Sequence, residues 1–103
     1  MFNLHAIHDA RTDTLTLRLE GNFNRVEARE LHRRVVEADA AKLVIDFSRV
    51  RTFEDTAIPT VIRAVGQRPC RLTGLGRHQE RMFRYLGMAG TGRELETALE
   101  AVG

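Results

Sequence analysis

Between Lys42 and Val65 the hydrophobic period of the chain changes from that of a strand to that of a helix, and this narrows the possible folds more than any other feature. Leu43, Val44 and Ile45 form a short continuous apolar run rich in β-branched residues, the pattern of a strand covered on both faces. Ile58, Val61, Ile62 and Val65 then recur at i, i+3, i+4 and i+7, which draws one apolar stripe down a helix. Pro59 sets where that helix begins, because the first turn does not use the N–H that proline lacks, whereas deeper in the helix proline breaks it. Asp55 or Thr56 is therefore expected as the N-cap, after a short polar loop. Ser48, Glu54, Asp55 and Thr56 crowd this junction, within reach of a partner, a phosphate or a ligand.

The flanking segments extend the pattern. From Thr14 to Glu20, Leu15, Leu17 and Leu19 alternate with Thr16, Arg18 and Glu20, a strand with one wet face. Phe2, Leu4 and Ala6 alternate upstream, and the polar, turn-prone HDARTD between them makes residues 2–20 an antiparallel hairpin, ended by Gly21. Asn24 and Glu27 have capping-box spacing, and Ala28, Leu31, Val35 and Ala38 trace an apolar face over residues 25–38. Pro69 precedes a strand at residues 70–75, and a third helix follows over residues 78–86. Thr91 and Glu94 cap a last helix with the stripe Leu95, Ala98, Leu99 and Val102. Strands separated by helices pair in parallel, and the hairpin adds an antiparallel edge. The expected fold is α/β, a mixed sheet with about four helices packed mainly on one face, as a single domain over residues 1–103.

Composition excludes several classes of function. A chain that is 43% hydrophobic and 29% charged is ordinary for a soluble globular protein. No apolar run approaches the ~18 residues of a membrane span, and MFNLHAIHDA lacks the basic start and apolar core of a signal peptide, so a cytoplasmic location is expected. Cys70 is the only cysteine, which rules out an intrachain disulfide and reads as a small apolar filler. His5, His8, His32 and His78 are scattered without metal-ligand spacing, so no metal site is expected. Arg77, Arg81 and Arg84 lie at i, i+4 and i+7, opposite Met82, Phe83 and Leu86. That is the solvated face of an amphipathic helix, and direct DNA binding is not expected. Gly74-Leu75-Gly76 lacks the third glycine and the downstream acid of a dinucleotide fingerprint and reads as a turn. Neither a nucleophile beside a base nor a carboxylate pair can be assembled, so no catalysis and no cofactor are expected.

The stretch IDFSRVRTFEDTA resembles the central signature of STAS domains, the family of bacterial anti-sigma factor antagonists. There, a strand ending in Asp-x-Ser is followed by an Asp-Ser-Ser-Gly or Asp-Thr-Ala-Gly turn that opens a helix. GLGRHQERMFRYLGMAG and the chain length carry the resemblance over most of the 103 residues. Asp46 and Ser48 match the Asp-x-Ser, Asp55 matches the aspartate of the turn, and Thr56 falls on its first hydroxyl residue. Ala57 falls on the second, which the family's antagonists phosphorylate, and alanine cannot accept a phosphate. Ile58 and Pro59 replace the usual Gly-Leu. The Asp-Thr-Ala form is similar to that of the small STAS subunit of bacterial phospholipid-transport ABC systems.

The resemblance implies a non-catalytic protein-interaction module for signal transduction and transcription regulation. Its partner-binding surface would comprise Phe53, Glu54, Asp55, Thr56, Ala57 and Ile58, together with Asn22 and Asn24 of the loop Gly21-Asn22-Phe23-Asn24. Thr56 is the candidate phosphorylation site. The implied partner is an anti-sigma factor of the histidine-kinase-like type or, on the second reading, an ABC-transporter ATPase. A third reading is a small-ligand or nucleotide binder using Ser48, Asp55 and Gly76. The residues alone leave a plainer account open: Asp55 and Thr56 cap their own helix, worth about 1 kcal/mol, Asn24 caps another, and Phe23 is core or a hydrophobic staple.

Overall fold

Leu17 and Leu19 of the wet-faced strand are fully buried in the core, and Leu15 packs against it half-buried. A computed structural model describes residues 2–87. The elements are β1 (Phe2–Asp9), β2 (Thr14–Phe23), α1 (Arg25–Glu37), β3 (Lys42–Phe53), a single 3₁₀ turn (Asp55–Ala57), α2 (Ile58–Gln67), β4 (Arg71–Thr73) and α3 (Arg77–Gly87). The expected last helix lies outside the described residues. The sheet order is β1-β2-β3-β4, with β1 antiparallel to β2 and both later pairings parallel, as expected.

Ala6, Leu17, Ile45 and Leu72 lie side by side across the four strands. Leu17, Ile45 and Leu72 are fully buried, as are Ala28, Leu31 and Val35 of α1 and Ile58, Val61, Ala64 and Val65 of α2. Each such Leu, Ile or Val side chain contributes about 1.5–3 kcal/mol relative to exposure. Val44, on the opposite face of β3, is only half-buried. The apolar run of β3 is thus fully covered on one face rather than on both.

Two strands run further than their local sequence suggests. Gly21 does not end β2: it adopts φ 93°, the register shifts between Gly21 and Asn22, and pairing continues to Phe23 opposite Phe53. A glycine tolerates this left-handed geometry, so the strand bends at the irregularity and continues. β3 likewise passes through Ser48, Arg49, Arg51 and Thr52 to Phe53, so the expected polar loop shrinks to Glu54 and the 3₁₀ turn. Pairing with β2 overrides the polarity of that stretch.

This extension brings the phenylalanines together. All five in the chain form one contiguous cluster. Phe23 lies 5.2 Å from Phe53, 5.6 Å from Phe47 and 6.1 Å from Phe2, and Phe53 meets Phe83 of α3 edge-on at 6.1 Å. Phe23 is buried outright, so it is a core residue.

Two turns are held by specific contacts. Asp13 adopts φ 51°; its carboxylate accepts from His8 Nε2 at 2.8 Å and from the Ala41 N–H at 3.0 Å, and its carbonyl accepts from the Lys42 N–H at 3.1 Å. The hairpin turn is thereby tied to the start of β3. Gly74 has φ 77°, and a Cβ there would lie 2.4 Å from the Ser48 nitrogen, so only glycine lets the chain cross β3 so closely. Cys70 is buried, its thiol donates to the Arg68 carbonyl at 3.0 Å, and burial pushes its pKa up to about 12, the properties of an inert filler.

Candidate functional site

In an open parallel sheet, the carboxyl ends of the strands and the helix starts that follow them form the usual binding edge. Here β2, β3 and β4 point the same way, so the starts of α1, of the 3₁₀ turn leading into α2, and of α3 gather at one end. The phenylalanine cluster includes Phe23 and Phe53, the last residues of β2 and β3, and so supports this end from beneath.

Asn24 caps α1 as expected, its side-chain oxygen accepting from the Glu27 N–H at 3.0 Å. The start of α2 differs from expectation. α2 begins at Ile58, with Pro59 in its first turn, and neither Asp55 nor Thr56 makes a capping bond. The 3₁₀ turn takes up the backbone instead: the Ala57 N–H donates to the Glu54 carbonyl at 3.0 Å, and the Glu54 N–H continues the sheet ladder to the Phe23 carbonyl at 3.0 Å. Both candidate caps are therefore free for other contacts.

Asp55 uses that freedom to reach α3. Its two carboxylate oxygens lie 3.1 and 3.0 Å from His78 Nε2. Both side chains are largely exposed, so the pair contributes about 1 kcal/mol or less, but it fixes where the Asp55 carboxylate points. Thr56 is exposed, and its hydroxyl bonds to no other described residue.

Asn24, Glu54 and Thr56 line one open groove of about 330 Å³ together with Arg25 and Val26. Val26 is 63% exposed, a large apolar side chain displayed beside a groove. Asn22 is exposed next to the end of β2, opposite Thr52. Phe53 is half-buried in the aromatic cluster, while Ala57 and Ile58 are fully buried and shape the surface only from below.

Asp46 braces the strand that leads here. Its carboxylate accepts from the Ser48 N–H at 2.9 Å and faces Arg18 Nε at 3.5 Å. Partial desolvation raises its pKa, but the Ser48 backbone and hydroxyl bonds and the Arg18 charge outweigh it, and the pKa lies below the ordinary carboxylate value. Ser48 and Asp46 thus act on each other.

A family model described as "Mlab, STAS domain" matches residues 7–99. The chain belongs to the STAS domain family. Among solved structures, this STAS domain is similar to the anti-sigma factor antagonist SpoIIAA in its unphosphorylated form, with TM-score 0.58 and 13% identity over 82% of this chain and 83% of that one. It is also similar to a variant of RsbS from Moorella thermoacetica, with TM-score 0.59 and 16% identity over 94% of each chain. An antisigma-factor antagonist STAS domain from Rhodobacter sphaeroides aligns with TM-score 0.50 and 15% identity over 69% of this chain and 82% of that one. At these identities the likeness establishes the fold alone. No curated protein sequence matches the chain.

Ala57 is sealed from solvent, next to the exposed Thr56. Arg25, Val26 and His78 were not among the candidates. Val26 had one available signal, as an apolar residue off the stripe of its own helix; His78 had none, since 23 residues separate it from Asp55. The basic stripe of α3 is partly consumed: Arg84 turns to Glu80 at 3.4 Å, while Arg77 and Arg81 stay exposed. The other histidines face Glu20, Asp13 and Gln67 separately, and no three metal-ligating side chains converge among the described residues. No helix among the described residues is long and apolar enough to cross a membrane.

Proposed function

We propose that this STAS domain is a non-catalytic docking module, an anti-sigma factor antagonist-like regulator that does not respond to phosphorylation at position 57. The observation that carries the reading is the contrast across the 3₁₀ turn: Ala57 is buried and lacks a hydroxyl, whereas Glu54, Asp55 and Thr56 are exposed and free of capping duties. The docking surface is the groove between the start of α1 and this turn, with Asn22 and the Asp55–His78 pair at its margins. Val26 offers the partner an apolar contact, and Arg25 and Glu54 offer charges of both signs, a combination that suits a protein surface. The partner on this reading is an anti-sigma factor of the histidine-kinase-like type, and the domain works in the cytoplasm.

The test is capture from the source lysate by wild type beside an Asp55→Arg, Thr56→Glu double variant whose fold is checked by circular dichroism. Both positions are exposed, so the variant is expected to fold and to lose the partner by at least about tenfold in affinity. Equal capture by both proteins places the interface elsewhere. Incubation with the captured kinase-like partner and ATP is expected to leave no phosphate on the protein. A phosphopeptide containing Thr56 instead makes this hydroxyl the switch, with Arg25 across the groove as a charge partner for the phosphate.

A second reading has its own support: the Asp55-Thr56-Ala57 form resembles that of the STAS subunit in phospholipid-transport ABC systems, and the matching family model carries the description Mlab. On that reading the same groove docks on the transporter ATPase. Capture of an ATPase rather than a kinase-like protein, or neighbouring permease and ATPase genes, decides for it.

A further inference from the structure

The sheet treats its edges unequally. β4 is only three residues long, between Pro69 and the tight turn at Gly74, so it offers little to another strand. β3 overhangs β4 beyond Asp46, but that overhang carries two register shifts and the exposed Arg49 and Arg51. Short length, bulges and charge are how proteins blunt sheet edges. Among the described residues, β1 is neither short nor bulged, and its only carboxylate is Asp9 at its very end. It pairs with β2 over eight consecutive residues without a shift, and it contains no lysine, arginine, glutamate or proline. Ala6 and Ile7 are exposed on it, Ile7 to 46%.

We infer that the outer edge of β1 pairs with β1 of a second copy, in antiparallel register about a twofold axis at Ala6, making one continuous eight-stranded sheet. A twofold axis normal to the sheet keeps each face on its own side, so residues meet in pairs of the same face. About Ala6 this sets Asn3 of each chain opposite Asp9 of the other, Leu4 opposite His8, and His5 opposite Ile7. The side-chain amide then faces a carboxylate, Ile7 gains cover, and no two carboxylates meet. Self-complementarity of this kind favours a second copy over a strongly acidic or basic strand, which would find no complementary charge along Asn3 to Ile7. The pairing is independent of the docking reading, because β2 separates β1 from β3 and the groove beyond it.

Sedimentation velocity of the full chain tests it, with amide hydrogen exchange as the second readout. The expected result is a concentration-dependent species of twice 11.7 kDa, with β1 amides exchanging more slowly as concentration rises. Ile7→Lys is expected to raise the dissociation constant at least about tenfold, whereas Val36→Lys, at an exposed position of α1, leaves it unchanged. Asn3→Asp sets carboxylates opposite each other and is expected to weaken the dimer, and adding Asp9→Asn to restore it. A single 11.7 kDa species at the highest soluble concentration overturns the inference, as does a dimer indifferent to Ile7→Lys or one whose β1 amides do not slow. Asn3→Asp without effect overturns the twofold register.

Discussion

At the scale of single residues, the decisive fact is that Ala57 and Thr56 are adjacent in sequence and opposite in exposure. Alanine at position 57 rules out phosphorylation there from the sequence alone; its complete burial adds that the position cannot be made switch-like by a charge. Ala57→Glu is therefore expected to cost on the order of 3–5 kcal/mol in denaturant titration, because an unpaired carboxylate would be buried, rather than to mimic a phosphorylated state. His78→Ala is expected to change stability by about 1 kcal/mol or less while weakening partner capture, since it releases Asp55 from its fixed direction. Asp46 gives the pH dependence. Its folded pKa is depressed, so its contribution is fully present above its unfolded pKa of about 4 and is lost as pH falls through the lower folded value. In acid titration followed by circular dichroism, Asp46→Asn is expected to lose less stability below about pH 4 than wild type does.

At the scale of elements, helix starts and strand ends determine the site. Asn24 was legible as a cap because its spacing to Glu27 is local, and Asn24→Ala is expected to cost about 1 kcal/mol in thermal unfolding. The cap of α2 was not legible in the same way: a 3₁₀ turn supplies backbone acceptors that make a side-chain cap unnecessary, and that choice depends on where Glu54 leaves the ladder with β2. The lengths of β2 and β3 were underestimated for a related reason. Gly21, and the polar stretch from Ser48 to Thr52, look like breaks locally, yet each strand supplies the other's pairing partner as far as Phe23 and Phe53. Phe53→Ala is expected to destabilise by about 2–3 kcal/mol, less than a fully buried ring would, by removing the half-buried ring that links Phe23 and Phe47 to Phe83.

At the scale of the whole molecule, the buried side chains of the described residues form one contiguous core from β2 to Phe83 of α3. One core implies one cooperative unit, so the expected single domain is testable: heat should remove far-UV ellipticity and dispersed methyl signals at one midpoint, and Ile45→Ala should shift both equally. The sequence by itself determined the order of the described strands and helices, the helix start near Pro59 and the missing hydroxyl at position 57. Those follow from period, propensity and residue chemistry, which act within a few residues. Only the tertiary structure decided that Asp55 turns to His78, that Arg25 and Val26 join Glu54 and Thr56 around one groove, and that five phenylalanines support it. Such meetings depend on which strand ends lie side by side, and that register is set by the packing of the complete sheet rather than by any segment within it.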